Sequence, residues 1–143
     1  MAFLLDTNVV SETVRSRPAP EVLDWLAAQM PEDLFLTSIG VGELLRGARK
    51  LHDPARRLHF ENWIEVRLTA QFEGRILPFD LPAARIWGAL VGDGDRNGRP
   101  LAVLDAQIGA IAIHRGLTVV TRNVKDFSPM GMPVHNPWTG IVG

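Results

Sequence analysis

The residues in this sequence best suited to chemistry are carboxylates at the ends of apolar runs. Asp6 closes the run Phe3-Leu4-Leu5, with Thr7 and Asn8 directly after it. Asp105 lies near the start of a helix-period segment, and Asn123 and Asp126 follow the run 117–121. Glu43 lies a turn or more beyond Ser38, on the segment after Leu34-Phe35-Leu36-Thr37. Oxygen ligands without His or Cys select a hard cation, Mg²⁺ or Mn²⁺. Such an ion lowers the pKa of a bound water and clamps a phosphoryl oxygen during in-line displacement. It also lets like-charged carboxylates stay ionised side by side. Each acid has a plainer role as well: Asp6 as a helix cap, Glu43 as a solvated helix residue, Asp105 as a charge favoured by the helix dipole. Spacing alone does not separate the two readings.

The elements that must position these residues alternate between short apolar runs and helix-period segments, the pattern of an α/β fold. Strands are predicted over 3–6, 34–37, 75–79 and 117–121, with one short strand in an otherwise irregular tail. Helices are predicted over about 8–15, 21–29, 38–51 with Ser38 as N-cap, 54–70, 81–91 and 103–115, the last stopped by Gly116. Residues 92–98 are polar and glycine-rich and read as a loop. Ligands bind at the carboxyl ends of the strands in an open parallel sheet, so a doubly wound topology gathers the acids on one edge.

Composition narrows the field further. The chain has 143 residues, 46% hydrophobic and 22% charged, with no repeat or linker, which predicts one domain over residues 1–143. With no cysteine there is no disulfide, thiolate metal site or cysteine nucleophile. The N-terminus shows no basic, then apolar, secretory pattern, and no run is long enough for a membrane span, so the expected location is the cytoplasm, with no membrane partner. The net charge of −1 argues by itself against a nucleic-acid surface. Thirteen of the fifteen basic residues are arginine, however, and Arg46, Arg49, Lys50, Arg56 and Arg57 cluster, so the sum does not decide the partner.

The segments FLLDTNVVSE (3–12), LTSIGVGELLRGARK (36–50) and GRPLAVLDAQIGAIAIHRGLTVVTRNVKDF (98–127), in this order, resemble the PIN-domain ribonucleases. The likeness is greatest to the VapC-type toxins of type II toxin–antitoxin pairs, and it runs from Phe3 to about Phe127. It implies a three-layer fold, a central and mostly parallel sheet of four or five strands flanked by helices. Position by position, it implies a site of Asp6 in DTN, Glu43 in GELLRG, Asp105 in LDAQIGA and Asn123 in TRN. Asn123 departs from the four-carboxylate version of the site: an amide adds no charge and cannot act as a base. Asp126 lies three residues on, in a segment that the resemblance makes peripheral.

The resemblance further implies an Mg²⁺-dependent endoribonuclease, with Mn²⁺ as possible substitute. Asp6 and Asp105 hold the metal, Glu43 orients or deprotonates water, and the products carry a 5′-phosphate and a 3′-hydroxyl. Thr7, Asn8 and Thr121 would fix the carboxylates. A cognate antitoxin and a homodimer are implied too, with Trp25, Leu26, Phe60 and Trp63 as candidate groove residues for the antitoxin. The alternative is a non-catalytic RNA- or protein-binding module on a PIN-like fold, kept open by Asn123.

Other motifs carry less. Asp93-Gly94-Asp95-Arg96-Asn97-Gly98 matches the opening of a calcium loop, but Leu104 stands where a bidentate Glu is required. Asp6-Thr7-Asn8 resembles the aspartyl-nucleophile phosphatases, which carry a second Asp at the Asn8 position and have no role for Glu43. The four histidines lack metal-ligand spacing, and no Gly-x-Ser-x-Gly turn is present.

Overall fold

The computed structural model describes residues 1–142. The three buried residues of β1 (Phe3–Leu5) run parallel to β2 (Leu34–Thr37) on one side and β4 (Thr118–Val120) on the other. The strand order is β3-β2-β1-β4-β5-β6, with β3 (Ile76–Leu77) and β5 (Val134–Asn136) also parallel to their neighbours. A two-residue antiparallel strand, β6 (Ile141–Val142), completes the edge beside β5. The expected mostly parallel sheet is therefore present, and the tail supplies two strands rather than one.

Successive strand residues point to opposite faces, and the sequence fills both with apolar side chains, as a sheet covered on two sides requires. Leu4, Leu77, Val119 and Val134 pack with Ala106, Ile108, Ile111 and Phe127. Those partners come from α7 (Val103–Arg115) and α8 (Val124–Phe127), with α6 (Leu81–Arg96) contributing Ala83 to the same layer. Phe3, Leu5, Leu34, Leu36 and Val120 face the other way, onto Val9, Val10, Val22, Leu68 and Phe72. Here the cover is α1 (Thr7–Glu12), α2 (Pro20–Ala27) and the helical run that starts with α4 (Pro54–Asn62). Helix, sheet and helix make the expected three layers. No helix among the described residues is long and apolar enough to cross a membrane.

Four local expectations shift. The N-cap of α3 (Ser38–Arg49) is Thr37, not Ser38: the Thr37 hydroxyl accepts the Gly40 N–H at 2.8 Å. The helix before β3 is α4, a widened π turn over Trp63–Leu68 and a final turn, α5 (Thr69–Gln71). The helix after β1 spans only Thr7–Glu12, with tighter turns after it, and the buried Glu12 carboxylate reaches forward to accept the Ala19 N–H at 2.8 Å. Residues 92–96 are not a loop, since α6 runs on to Arg96. Its two late glycines lower helix propensity, but Gly94 lets the following chain fold back. The Arg99 N–H donates to the Gly94 carbonyl at 2.8 Å, and a Cβ at Gly94 would stand 2.6 Å from the Arg99 oxygen. Packing overrides propensity at this point.

Candidate active site

The strand order reverses direction between β1 and β4, and at such a switch point loops diverge to leave a crevice. Asp6 is the first residue past β1 and Thr121 the first past β4. Asp6 is 4% exposed. Its Oδ1 accepts the Thr7 N–H at 2.8 Å, so the capping role expected of it is real. Its Oδ2 accepts the Thr121 hydroxyl at 2.8 Å and the Asn8 amide at 3.4 Å. Thr121 Oγ1 in turn accepts the Asn123 N–H at 3.0 Å, which directs its one proton to Asp6. Burial raises the Asp6 pKa against these hydrogen bonds from Thr121 and Thr7, and the Asp126 charge adds to the rise.

Glu43 is half-buried on α3, and its Oε1 is buried without a hydrogen-bond partner among the described residues. A solvated surface acid would not be in that state. Burial, then the charges of Asp6 and Asp105, push its pKa up, with Arg46 working the other way. Asp105 sits in the first turn of α7 but caps nothing, for the N-cap is Ala102 and no side chain bonds there. Its pKa is raised to about 6 by burial first, then by Asp6 and Asp126. Glu43 thus feels the charges of Asp6 and Asp105, and Asp105 feels that of Asp6, although the three come from the end of β1, from α3 and from α7.

Asn123 reaches this centre through its backbone. It occupies the N-cap position of α8, is exposed, and makes no side-chain capping bond. Asp126, also exposed on α8, is the fourth charge felt by Asp6 and Asp105. Sequence reasoning overlooked Arg122, whose N–H donates to Asn8 Oδ1 at 3.4 Å and whose guanidinium lies 5.0 Å from the Trp138 ring centre. Its place inside Thr121-Arg122-Asn123 was the available signal.

The donor set fits a hard cation: oxygen groups only, one buried and unpartnered, and mutual repulsion that a positive charge would relieve. Among the described residues no three of these groups converge tightly enough to hold an ion by side chains alone.

A groove of about 700 Å³ adjoins the acids and is lined by Thr7, Glu43, Leu44, Arg56, Phe60 and Trp63. Of the four residues expected at an antitoxin groove, Phe60 and Trp63 line this one, whatever occupies it. Leu26 lines a separate pocket on the far side of Trp63. Trp25 lies in neither, because it packs edge-on to Phe3 at 4.9 Å and beside His135 at 5.2 Å. The arginine cluster divides as well: Arg49 pairs with Glu61 at 3.3 Å and Arg57 donates to the Leu51 carbonyl, tying α3 to α4, while Arg56 faces the groove.

Comparison with known proteins bears on this geometry. The family model described as PIN domain matches residues 3–130. The chain is 38% identical over 136 residues to the VapC ribonuclease Y4jK of Sinorhizobium fredii, covering 95% of this chain and 97% of that protein. The crystal structure of FitAcB from Neisseria gonorrhoeae superposes with a TM-score of 0.89 at 37% identity, over 95% of this chain and 98% of that one. A toxin–antitoxin complex from Klebsiella pneumoniae gives a TM-score of 0.71 at 29% identity, over 96% and 98%.

Proposed function

This chain belongs to the PIN-domain family, among its VapC-type toxins, and on that premise we propose that it is an Mg²⁺-dependent endoribonuclease. The observation that carries the reading is the buried Glu43 oxygen with no partner among the described residues, on a carboxylate that feels the charges of Asp6 and Asp105. Asp6 and Asp105 would hold the metal, which would supply charge compensation at the phosphoryl oxygen and a more acidic water. Mn²⁺ is the expected substitute.

Glu43 orients the attacking water and takes its proton, for which a raised carboxylate pKa is suited. The water oxygen bonds to phosphorus in line with the 3′ oxygen, the P–O3′ bond breaks, and the leaving oxygen takes a proton from solvent. The products carry a 5′-phosphate and a 3′-hydroxyl. Thr121 and Thr7 favour the ionised form of Asp6 against burial and aim it, and the exposed Asn123 amide holds water or a phosphate oxygen at the rim. The substrate is a structured RNA with a single-stranded scissile loop, because unstacked bases are what proteins read in RNA.

A cognate antitoxin covers the groove beside Glu43, packing on Phe60 and Trp63. The toxin is a cytoplasmic homodimer. Purified protein should cut RNA with Mg²⁺, stop with chelator, and be silenced by Asp105→Asn. Cleavage by Asp105→Asn at the wild-type rate would leave the non-catalytic binding module instead. In cells, expression without a partner should arrest growth, and Asp6→Ala should abolish the arrest.

A further inference from the structure

The 92–98 segment, which fails as a calcium loop, builds something else. Gly94 and Gly98 let the chain after α6 lie flat against that helix: Gly98 takes a φ of 67°, and the Arg99 N–H is held by the Gly94 carbonyl at 2.8 Å. The Arg99 backbone is thereby fixed at a groove of about 840 Å³, lined also by Asn97 and by apolar Leu90, Leu101 and Pro129. Lys125 and Asp126 of α8 line the same groove. Asp126 is the group whose charge acts on Asp6 and Asp105, so this groove runs up to the acids from α8, as the Phe60 groove does from Glu43.

Its charges are unequal in availability. Asp93 is engaged by Arg96 at 2.9 Å. Arg99 and Lys125 are exposed, and among the described residues neither has an ion-pair partner. A guanidinium and an ammonium lining one groove, the first on a braced loop, suit the phosphates of an extended strand. We propose that this groove is the subsite that holds the RNA backbone beside the scissile phosphate, with Arg99 and Lys125 as its phosphate-contacting residues. This rests on the ribonuclease reading.

The test is the salt dependence of binding. A labelled 12-nucleotide single-stranded RNA is titrated with the full chain in EDTA, which prevents cutting, at several KCl concentrations. Each lost phosphate contact on a single strand lowers the slope of log affinity against log salt by about 0.7. Arg99→Ala with Lys125→Ala should therefore flatten it by about 1.4, and with Mg²⁺ should raise KM about 10-fold while kcat changes far less. Arg67→Ala, an exposed cation outside both grooves, serves as the control and should change neither. An unchanged slope in the double variant, with wild-type protein still cutting RNA, overturns the subsite and leaves the nuclease intact. If wild-type protein neither binds nor cuts RNA with Mg²⁺, both readings fall together.

Discussion

Thr121 Oγ1 donates to Asp6 Oδ2 at 2.8 Å across the gap between β4 and β1, joining residues 115 positions apart in the chain. Both lie one residue past a buried strand, so the bond ties the two sides of the switch point together at the candidate metal ligand. It favours the ionised form of a carboxylate that burial alone would drive towards protonation.

Thr121→Val removes that donor while keeping the shape. Mg²⁺ affinity should fall about 10- to 100-fold, the usual cost of losing a group that orients a metal ligand. Stability should drop by about 2 kcal/mol, as for a hydrogen bond to a charged group. Thr121→Ser should restore most of both. Calorimetric Mg²⁺ titration and denaturant melts of the two variants check this, and equal binding by Thr121→Val would remove Thr121 from the site.

The Asp105 shift sets a pH window. Its pKa rises from 3.8 in the unfolded chain to about 6 in the fold, so the folded state binds the proton more tightly. Stability is therefore fully present below about pH 4 and is lost as pH rises towards 6. Asp6 and Glu43 shift in the same direction. Asp105 is half-exposed, and allowing for screening its share is about 1 kcal/mol. In chelator at pH 7.5, Asp105→Asn should raise Tm by about 3 °C. Mg²⁺ should raise the wild-type Tm at pH 7.5 and do little at pH 5. A lower Tm for Asp105→Asn in chelator would mean that the acids do not repel.

Glu43 and Asp105 should separate by what they lose. Glu43→Gln removes the proton acceptor, so kcat should fall about 10²- to 10⁴-fold. The Mg²⁺-induced rise in Tm should survive it, whereas Asp105→Asn should abolish both. Loss of the metal effect in Glu43→Gln would make Glu43 a ligand rather than a base.

The close packing of α7 is equally open to test. A Cβ on Gly109 would stand 2.4 Å from Met130 Sδ and 2.9 Å from Met132 Cε, both side chains buried. Both atoms are at the ends of flexible methionines that can give way, so Gly109→Ala should cost no more than about 1 kcal/mol net of its better helix propensity. Thermal melts that show Gly109→Ala to be stabilised would contradict this packing.

Much of this site was legible because it sits at strand ends, where a polar residue after an apolar run stands out. Asp6 and Thr121 are of that kind; Glu43 and Asp105 stood out only as acids on the helices that follow strands, and the resemblance gave them roles. What was not legible depends on contacts distant in sequence. The helix through 92–96 survives two glycines because the Arg99 backbone folds onto Gly94. Trp25 and Trp63 look alike in an amphipathic segment, yet one packs on Phe3 and the other divides two pockets. Asp126 looked peripheral, since nothing in its spacing shows that the short α8 turns it towards Asp105.

The last question is which residue fills the fourth position, Asn123 or Asp126. Asn123 follows the motif, but its backbone N–H is what contacts Thr121, and its amide is exposed. Asp126 lacks the motif position and carries the charge that Asp6 and Asp105 feel. An amide contributes polarity without charge, so Asn123→Ala should raise KM for RNA several-fold and leave Mg²⁺ affinity unchanged. Asp126→Asn removes a negative charge, so it should weaken Mg²⁺ binding about 10-fold. It should also move the Asp105 pKa down from about 6, because its Coulombic push is gone. Titration of the Asp105 side-chain carboxyl by NMR in chelator reads the shift directly. If Asp126→Asn leaves both the titration and the Mg²⁺ affinity at wild-type values while Asn123→Ala weakens Mg²⁺, the fourth position belongs to the amide.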